Sequence, residues 1–309
     1  MKKIFIDGKA GTTGLRIEER LLARTDVEII SLPENLRKDT EARREALNLA
    51  DVVFLCLPDD AAREAVSMIE NENVCVIDTS TAHRTNPSFA YGFPELSDEF
   101  FNKIKNSNRI AVPGCHACGF IALTYPLIKA GIISADTPLT VHSITGYSGG
   151  GKKMIAEYEM GEIQKELTAP RQYGIAQSHK HMPEMMKISG LSKAPIFSPI
   201  VSNFYSGMEV SVSLFCENLK WGGRADIEKI YAQTYNTPIV KFNGAADEGG
   251  FLSAARFSGL DSMSVELYGT DERMMLVARY DNLGKGASGA AVECLNIKLG
   301  CEITKGLEI

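Results

Sequence analysis

The first stretch of the chain constrains its fold more than any other. A short apolar run, Lys3 to Asp7, leads directly into Gly8-Lys9-Ala10-Gly11-Thr12-Thr13-Gly14, and apolar residues at helical spacing follow at Leu15, Ile17, Leu21 and Leu22. Glycines at 8, 11 and 14 let a backbone turn tightly, approach a pyrophosphate and pack a helix on a strand. The spacing is a variant of the common dinucleotide fingerprint, placed between strand and helix as that fingerprint requires. A glycine triplet alone is also explained by a simple turn. Here the pattern repeats, with strands read at Val27 to Leu32, Asp51 to Leu57 and Asn73 to Asp78, and helices at Thr40 to Ala50 and about Asp60 to Glu70. Strands alternating with helices at this spacing predict an α/β fold with a parallel, doubly wound (Rossmann) nucleotide-binding sheet.

The end of the second strand bears on the cofactor. An NAD site places Asp or Glu there for the ribose 2′-OH, and an NADP site replaces it with neutral or basic groups. The strand ends Ile30-Ser31-Leu32, with Arg37 and Lys38 soon after and Glu34 between them. Ser31 can bond a 2′-phosphate and Arg37 or Lys38 can pair with it, so NADP(H) is expected; a solvated basic start to the next helix is the plainer reading. Leu57-Pro58-Asp59 falls at a strand's C-terminal edge, where open α/β sheets bind ligands, and Asp59 is also a helix cap. Thr79-Ser80-Thr81-Ala82-His83-Arg84 ends the next strand. Arg84 there suits an anionic substrate group, because a guanidinium grips phosphate or carboxylate bidentately; an ordinary surface arginine is the alternative.

Composition excludes several classes. A net charge of −6 and a pI near 5.5 carry no basic footprint for nucleic acid. No apolar stretch approaches the roughly 18 residues of a membrane span, and the N-terminus lacks signal-peptide anatomy. Seven cysteines without tandem metal-ligand spacing fit thiols in a reducing, cytoplasmic setting, with no metal.

The stretch Arg109 to Phe120 holds the strongest chemical signal. An apolar strand ends in Pro113-Gly114, Cys115 follows, and a helical apolar pattern begins, Phe120, Ile121, Leu123, Leu127 and Ile128, which Pro126 should kink or end. A thiol at a helix N-terminus is favoured as thiolate and is a nucleophile; a buried cysteine acting as a small hydrophobe is the bland reading. Cys115 and Cys118 also form a Cys-x-x-Cys, so a redox pair is a further reading. Beyond Gly119 the pattern turns to alternation at Leu139 to Ile144, Glu209 to Cys216, Met263 to Leu267 and Arg273 to Tyr280, predicting an α+β part with a mixed or antiparallel sheet, and helices at Ile155 to Glu166 and Asp226 to Tyr235. Gly149, Gly150, Gly151 and Lys152 form either an anion-binding loop or a hinge. His179 and His181, followed by Pro183 and Glu184, are either a solvated pair or an acid/base pair.

Six landmarks taken in order resemble the N-acetyl-γ-glutamyl-phosphate reductases, the NADPH-dependent enzymes of arginine biosynthesis, in their shorter form. They are Gly8 to Gly14, Asp78 to Arg84, Tyr91 to Leu96, Pro113-Gly114-Cys115, His179 to Glu184, and Asp281-Asn282-Leu283-Gly284-Lys285-Gly286-Ala287. The longer enzymes continue Cys-Tyr-Pro-Thr, where this chain has Cys115-His116-Ala117-Cys118. The resemblance implies that Cys115 forms a thioester with an acyl phosphate, and that one of His179 and His181 is the acid/base while the other contacts substrate. His181 is preferred because Glu184 stands close enough to orient it. It implies further that Asn282 borders the nicotinamide, that the C-terminal helix completes the first domain (1–118 with 285–309, against 119–284 for substrate and subunit contacts), and that the enzyme is a homodimer or homotetramer. A related enzyme acting on aspartyl phosphate, a thiol-disulfide oxidoreductase and a non-catalytic NADP-binding sensor are the alternatives.

Overall fold

Six parallel strands, most of them separated by helices, form the sheet of the N-terminal part, as a glycine-turned strand and helix at its start require. In this computed structural model, which describes residues 1–161 and 164–309, the order is β1 (Lys2–Asp7), α1 (Thr12–Leu22), β2 (Val27–Ile30), α2 (Thr40–Leu49), β3 (Val52–Leu55), α3 (Asp59–Ser67), β4 (Cys75–Asp78), β5 (Ala90–Tyr91), α4 (Asp98–Asn106) and β6 (Arg109–Ala111). The sheet runs β2-β1-β3-β4-β6-β5. Successive residues of a strand point to opposite faces, and both faces are covered. Ile4, Ile6, Val52, Phe54 and Ile77 pack with α1 and with Ala290, Ala291 and Leu295, whereas Phe5, Val53, Leu55 and Val76 pack with α2 and α3. Burial on both faces is why these strands read as continuous apolar runs.

The second sheet follows the change of pattern after Gly119. Its elements are α5 (Cys115–Lys129), β7 (Thr140–Gly146), α6 (Gly151–Glu159), β8 (Arg171–Gln172), α7 (Met182–Ser189), β9 (Ile196–Ser202), β10 (Met208–Phe215), α8 (Arg224–Thr234), β11 (Val240–Phe242), β12 (Met263–Gly269) and β13 (Arg273–Tyr280); α9 (Gly289–Leu299) closes the chain. The order β11-β12-β13-β10-β7-β9-β8 mixes antiparallel pairs with two parallel ones, β7 with β9 and β11 with β12. β10 shows the alternation of a strand with one fully buried face: Met208, Val210, Val212 and Leu214 are buried and the residues between them are not.

Two units result, one of Met1–Pro94, Asp98–Gly114 and Ala287–Leu307, the other of Glu95–Ser97, Cys115–Gly286 and Glu308–Ile309. Cys115 to Cys118, expected with the first domain, group with the second because the helix that they begin packs on α7, β10 and β13. In the first unit, α9 packs against α1 and α4.

One expectation is narrowed and another corrected. Pro126 does not end α5, which runs on to Lys129. Proline removes the N–H that would have met the carbonyl of Ala122 four residues earlier; the Tyr235 hydroxyl donates to that carbonyl, and the Tyr231 hydroxyl donates to the next one, of Leu123. The helix expected over 155–166 is instead α6, ending at Glu159, with a 3-10 turn at Lys165–Thr168; residues 162 and 163 of that expectation lie outside the described residues.

Candidate active site

Cys115 is the first residue of α5, directly after Pro113-Gly114, and is half-buried. The unpaired N–H groups and dipole of a helix N-terminus favour a thiolate there. Cys118 is fully buried, its thiol 3.7 Å from the Lys285 carbonyl, and among the described residues no disulfide joins any cysteine. A helix packed on nearly every side leaves Cys118 a packing role. Opposite the start of α5, Gly286 is so close that a Cβ there would lie 3.1 Å from Cys115 Cβ.

Around the same helix start, imidazoles and a phenol cluster. His116 bonds Ser143 Oγ through Nδ1 at 2.6 Å and the Tyr173 hydroxyl through Nε2 at 2.6 Å. Burial, with smaller contributions from His179 and Lys180, pushes the His116 imidazole down to about 3, so it is neutral and held at both nitrogens. The His116 ring lies 5.6 Å from that of His179 and 5.7 Å from that of His181, and those two are 4.8 Å apart, centre to centre. Burial and then Lys180 lower His179 below the usual histidine value, leaving it a neutral proton acceptor. Its Nδ1 accepts the His181 main-chain N–H at 3.2 Å. His181 is the N-cap of α7 and Glu184 is buried in that helix's first turn, with Pro183 fitting the opening positions. Burial and, behind it, Cys115 raise the Tyr173 hydroxyl well above its ordinary value.

The glycine-rich loop at 149–152 and Asn282 also belong to this unit. Gly151 begins α6 with φ +72°, and Gly149 and Lys152 are exposed. Asn282 is buried with both ends of its amide engaged: Nδ2 donates to Ser148 Oγ at 3.0 Å and Oδ1 accepts the Gly207 N–H at 2.9 Å. It anchors the loop from beneath. Glu95 and Lys285, from two of the sequence landmarks, meet as a buried ion pair at 2.7 Å.

In the first unit the residues fit a dinucleotide. Gly8 has φ +86°, and a Cβ on it would stand 2.3 Å from the Cys56 carbonyl oxygen; one on Gly14 would stand 2.6 Å from Lys9 Cα. Only glycine permits that close loop. Gly11 is the N-cap of α1 and Thr12 and Thr13 open the helix, whose first N–H groups receive no side-chain cap. They are donors for a phosphate. A cavity of about 520 Å³ opens beside the loop, lined among others by Gly8, Ser31, Arg37, Lys38 and Leu57. Pro58 caps α3, so Asp59 is not its cap: that carboxylate accepts from Thr81 N and Thr81 Oγ1, tying down the loop after β4. Arg84 is buried, donating from Nε to the Val112 carbonyl and from Nη2 to the Thr79 carbonyl, each at 2.8 Å. A plain surface arginine is thereby excluded.

Residues that pattern reading passed over matter as well. Asp7, the last of β1, is buried beside the glycine loop and held by Arg43 Nη2 at 2.9 Å; an acid ending the first strand was the available signal. Tyr173 and Ser143 gave none, since each becomes significant only through contact with His116.

The chain matches two family descriptions: "Semialdehyde dehydrogenase, NAD binding domain" over residues 27–104 and "Semialdehyde dehydrogenase, dimerisation domain" over 115–282. It is 44% identical over 308 residues to a Sinorhizobium medicae protein named N-acetyl-gamma-glutamyl-phosphate reductase, with 96% of this chain and 98% of that one covered. It is 43% identical over 320 residues to a Nostoc protein named N-acetyl-gamma-glutamyl-phosphate reductase 2, covering 99% of both. Among solved structures it resembles aspartate semialdehyde dehydrogenase II of Vibrio cholerae, with a TM-score of 0.71 over 97% of this chain and 98% of that one at 17% identity, a likeness of fold. Among the described residues, no helix is long and apolar enough to cross a membrane.

Proposed function

Because this chain belongs to the semialdehyde dehydrogenase family, and within it to the N-acetyl-gamma-glutamyl-phosphate reductases, we propose that it reduces N-acetyl-γ-glutamyl phosphate to N-acetylglutamate 5-semialdehyde and phosphate with NADPH, a step of arginine biosynthesis. The observation that carries the reading is Cys115 at the start of α5, with the neutral His116, Tyr173 and the His179–His181 pair gathered at the same end.

In this reading Cys115 gives its proton to a histidine and attacks the acyl carbon. The S–C bond forms as the C–O bond to phosphate breaks, inorganic phosphate leaves, and a thioester remains on Cys115. NADPH, when bound, supplies the hydride that reduces this thioester carbonyl. His181 protonates the oxygen of the reduced, Cys115-bound carbon and takes the proton back as the C–S bond breaks, releasing aldehyde and thiolate. His179, whose Nδ1 accepts the His181 main-chain N–H, contacts substrate, and Tyr173 is fixed by His116 in the same cluster. Arg84, Gly149, Lys152 and Glu184 bind substrate. Gly8, Gly11, Thr12, Thr13 and Gly14 hold the pyrophosphate, Ser31 and Arg37 the 2′-phosphate, and Leu57 and Pro58 flank the dinucleotide; Asn282 borders the nicotinamide end through the loop that it fixes. The first unit, Met1–Pro94 with Asp98–Gly114 and Ala287–Leu307, takes the dinucleotide, and the second, which includes Cys115–Gly286, carries the nucleophile. The match of residues 115–282 to a dimerisation domain supports a homodimer or homotetramer, and we place the enzyme in the cytoplasm.

Steady-state turnover in the reverse direction tests the reading, with NADP, phosphate and either N-acetylglutamate semialdehyde or aspartate semialdehyde. Preference for the acetylated substrate and loss of turnover in Cys115→Ser are expected. Equal or greater activity on the aspartate compound, or a full rate in Cys115→Ser, would sink it. Identity near 44% to the acetylglutamyl enzymes, against 17% to the aspartate ones, favours the first outcome.

A further inference from the structure

The nucleophile's helix begins in an unusual way. A regular helix joins the carbonyl of residue 115 to the N–H of residue 119. Here the Tyr280 hydroxyl donates to the Cys115 carbonyl and accepts the Gly119 N–H at 3.0 Å, so one phenol oxygen touches both ends of that helical bond. Gly119 admits it: a Cβ there would lie 2.6 Å from Tyr280 Oη, 2.9 Å from Tyr280 Cε1 and 2.7 Å from Val210 Cγ2. The phenol is mounted rigidly, because Tyr280 ends β13 with Met208 of β10 paired on one side and Met263 of β12 on the other, and its side chain is fully buried. Burial holds the hydroxyl protonated well above the ordinary tyrosine range, so it stays a donor throughout the working pH range. Gly286 closes on Cys115 Cβ from beyond the same strand.

We propose that Tyr280 is a positioning residue for Cys115: its hydroxyl, bound to the Cys115 carbonyl and the Gly119 N–H, braces the first turn of α5 and hence sets the direction of the thiol. Gly119 is the matching cradle, left without a side chain so that the phenol can enter. Without the hydroxyl the first turn loses this brace, the Cys115 backbone shifts, and the thiolate loses its alignment with the helix N-terminus. The inference rests on the reading of Cys115 as nucleophile, and the experiment separates the two.

The test compares wild type, Tyr280→Phe and Cys115→Ala for turnover, and the first two for iodoacetamide alkylation of Cys115, followed by mass spectrometry across a pH series. Tyr280→Phe should lower kcat by about 10- to 100-fold, the scale expected of a misplaced reacting group. KM should stay within about two-fold, since no substrate contact is removed, and the alkylation midpoint should move to higher pH. Unchanged kcat and an unchanged alkylation profile would overturn the inference. Should Tyr280→Phe not fold, Gly119→Ala carries the same expectations, because its methyl group drives the phenol out of the turn. Turnover retained in Cys115→Ala would instead defeat the nucleophile reading itself.

Discussion

Replacing His116 by asparagine probes the buried cluster beside Cys115, and its effect should depend on pH in a direction fixed by burial. The imidazole lies at about 3 in the folded protein, against about 6.5 for an ordinary histidine. The unfolded chain therefore binds a proton at this ring that the folded chain refuses. The stability associated with His116 is fully present above about pH 6.5 and is lost as pH falls from there toward about 3. Near pH 5 the unfolded ring is almost wholly protonated and the folded ring is not, a difference of about 2 kcal/mol. Asparagine cannot titrate. It can still meet Ser143, but it leaves the Tyr173 hydroxyl without its partner, at a cost of about 1–3 kcal/mol near neutral pH. The substituted protein should thus be less stable near pH 7.5, and the gap to wild type should narrow by about 2 kcal/mol near pH 5. Urea unfolding followed by fluorescence of Trp221, the sole tryptophan and a member of the same unit, reads both values. If wild type and His116→Asn lose stability in parallel between the two pH values, His116 is not buried as a neutral ring and the reasoning fails.

Two further outcomes are expected. Arg37→Ala combined with Lys38→Ala should raise KM for NADPH by about ten-fold, on the scale of one lost charge-assisted contact, and leave KM for NADH nearly unchanged; equal effects on both cofactors would place the 2′-phosphate elsewhere. Tyr235→Phe should destabilise by about 1–3 kcal/mol by stranding the Ala122 carbonyl that Pro126 cannot serve, and an unaltered urea midpoint would show that the carbonyl finds another donor.

Much of the fold was legible because its signals are local. Glycines 8, 11 and 14 between a strand and a helix, and apolar runs with both faces buried, identify a doubly wound sheet from spacing alone. The alternation along β10 and β13 did the same for the second sheet. The failures share one cause. Pro126 reads as a kink or an end because its missing N–H is a local fact, while the Tyr235 hydroxyl that meets the stranded carbonyl comes from just past α8, more than a hundred residues later. β9, Ile196–Ser202, contains Pro199 and was not read as a strand; it forms because β7 and β8 pair on its two sides.

Cys115 was identifiable from the sequence as a thiol at a helix start, since Pro-Gly before it and helical spacing after it are properties of neighbouring residues. Its surroundings were not. His116 appears only as a departure from the pattern of the longer enzymes until folding seals it between Ser143 and Tyr173 and strips it of its proton. Asp7 and Arg43 are separated by thirty-six residues and Glu95 and Lys285 by one hundred and ninety, and each pair exists only because the chain returns. The same holds for Tyr280 in the first turn of α5. Backbone geometry and apolar periodicity are written in neighbouring residues, so the sequence by itself determined the glycine-rich loop, most of the strands and the place of Cys115 at a helix start. Which hydroxyl meets which carbonyl, and which imidazole is neutral, depend on burial and on partners remote in the chain, and those the tertiary structure alone decided.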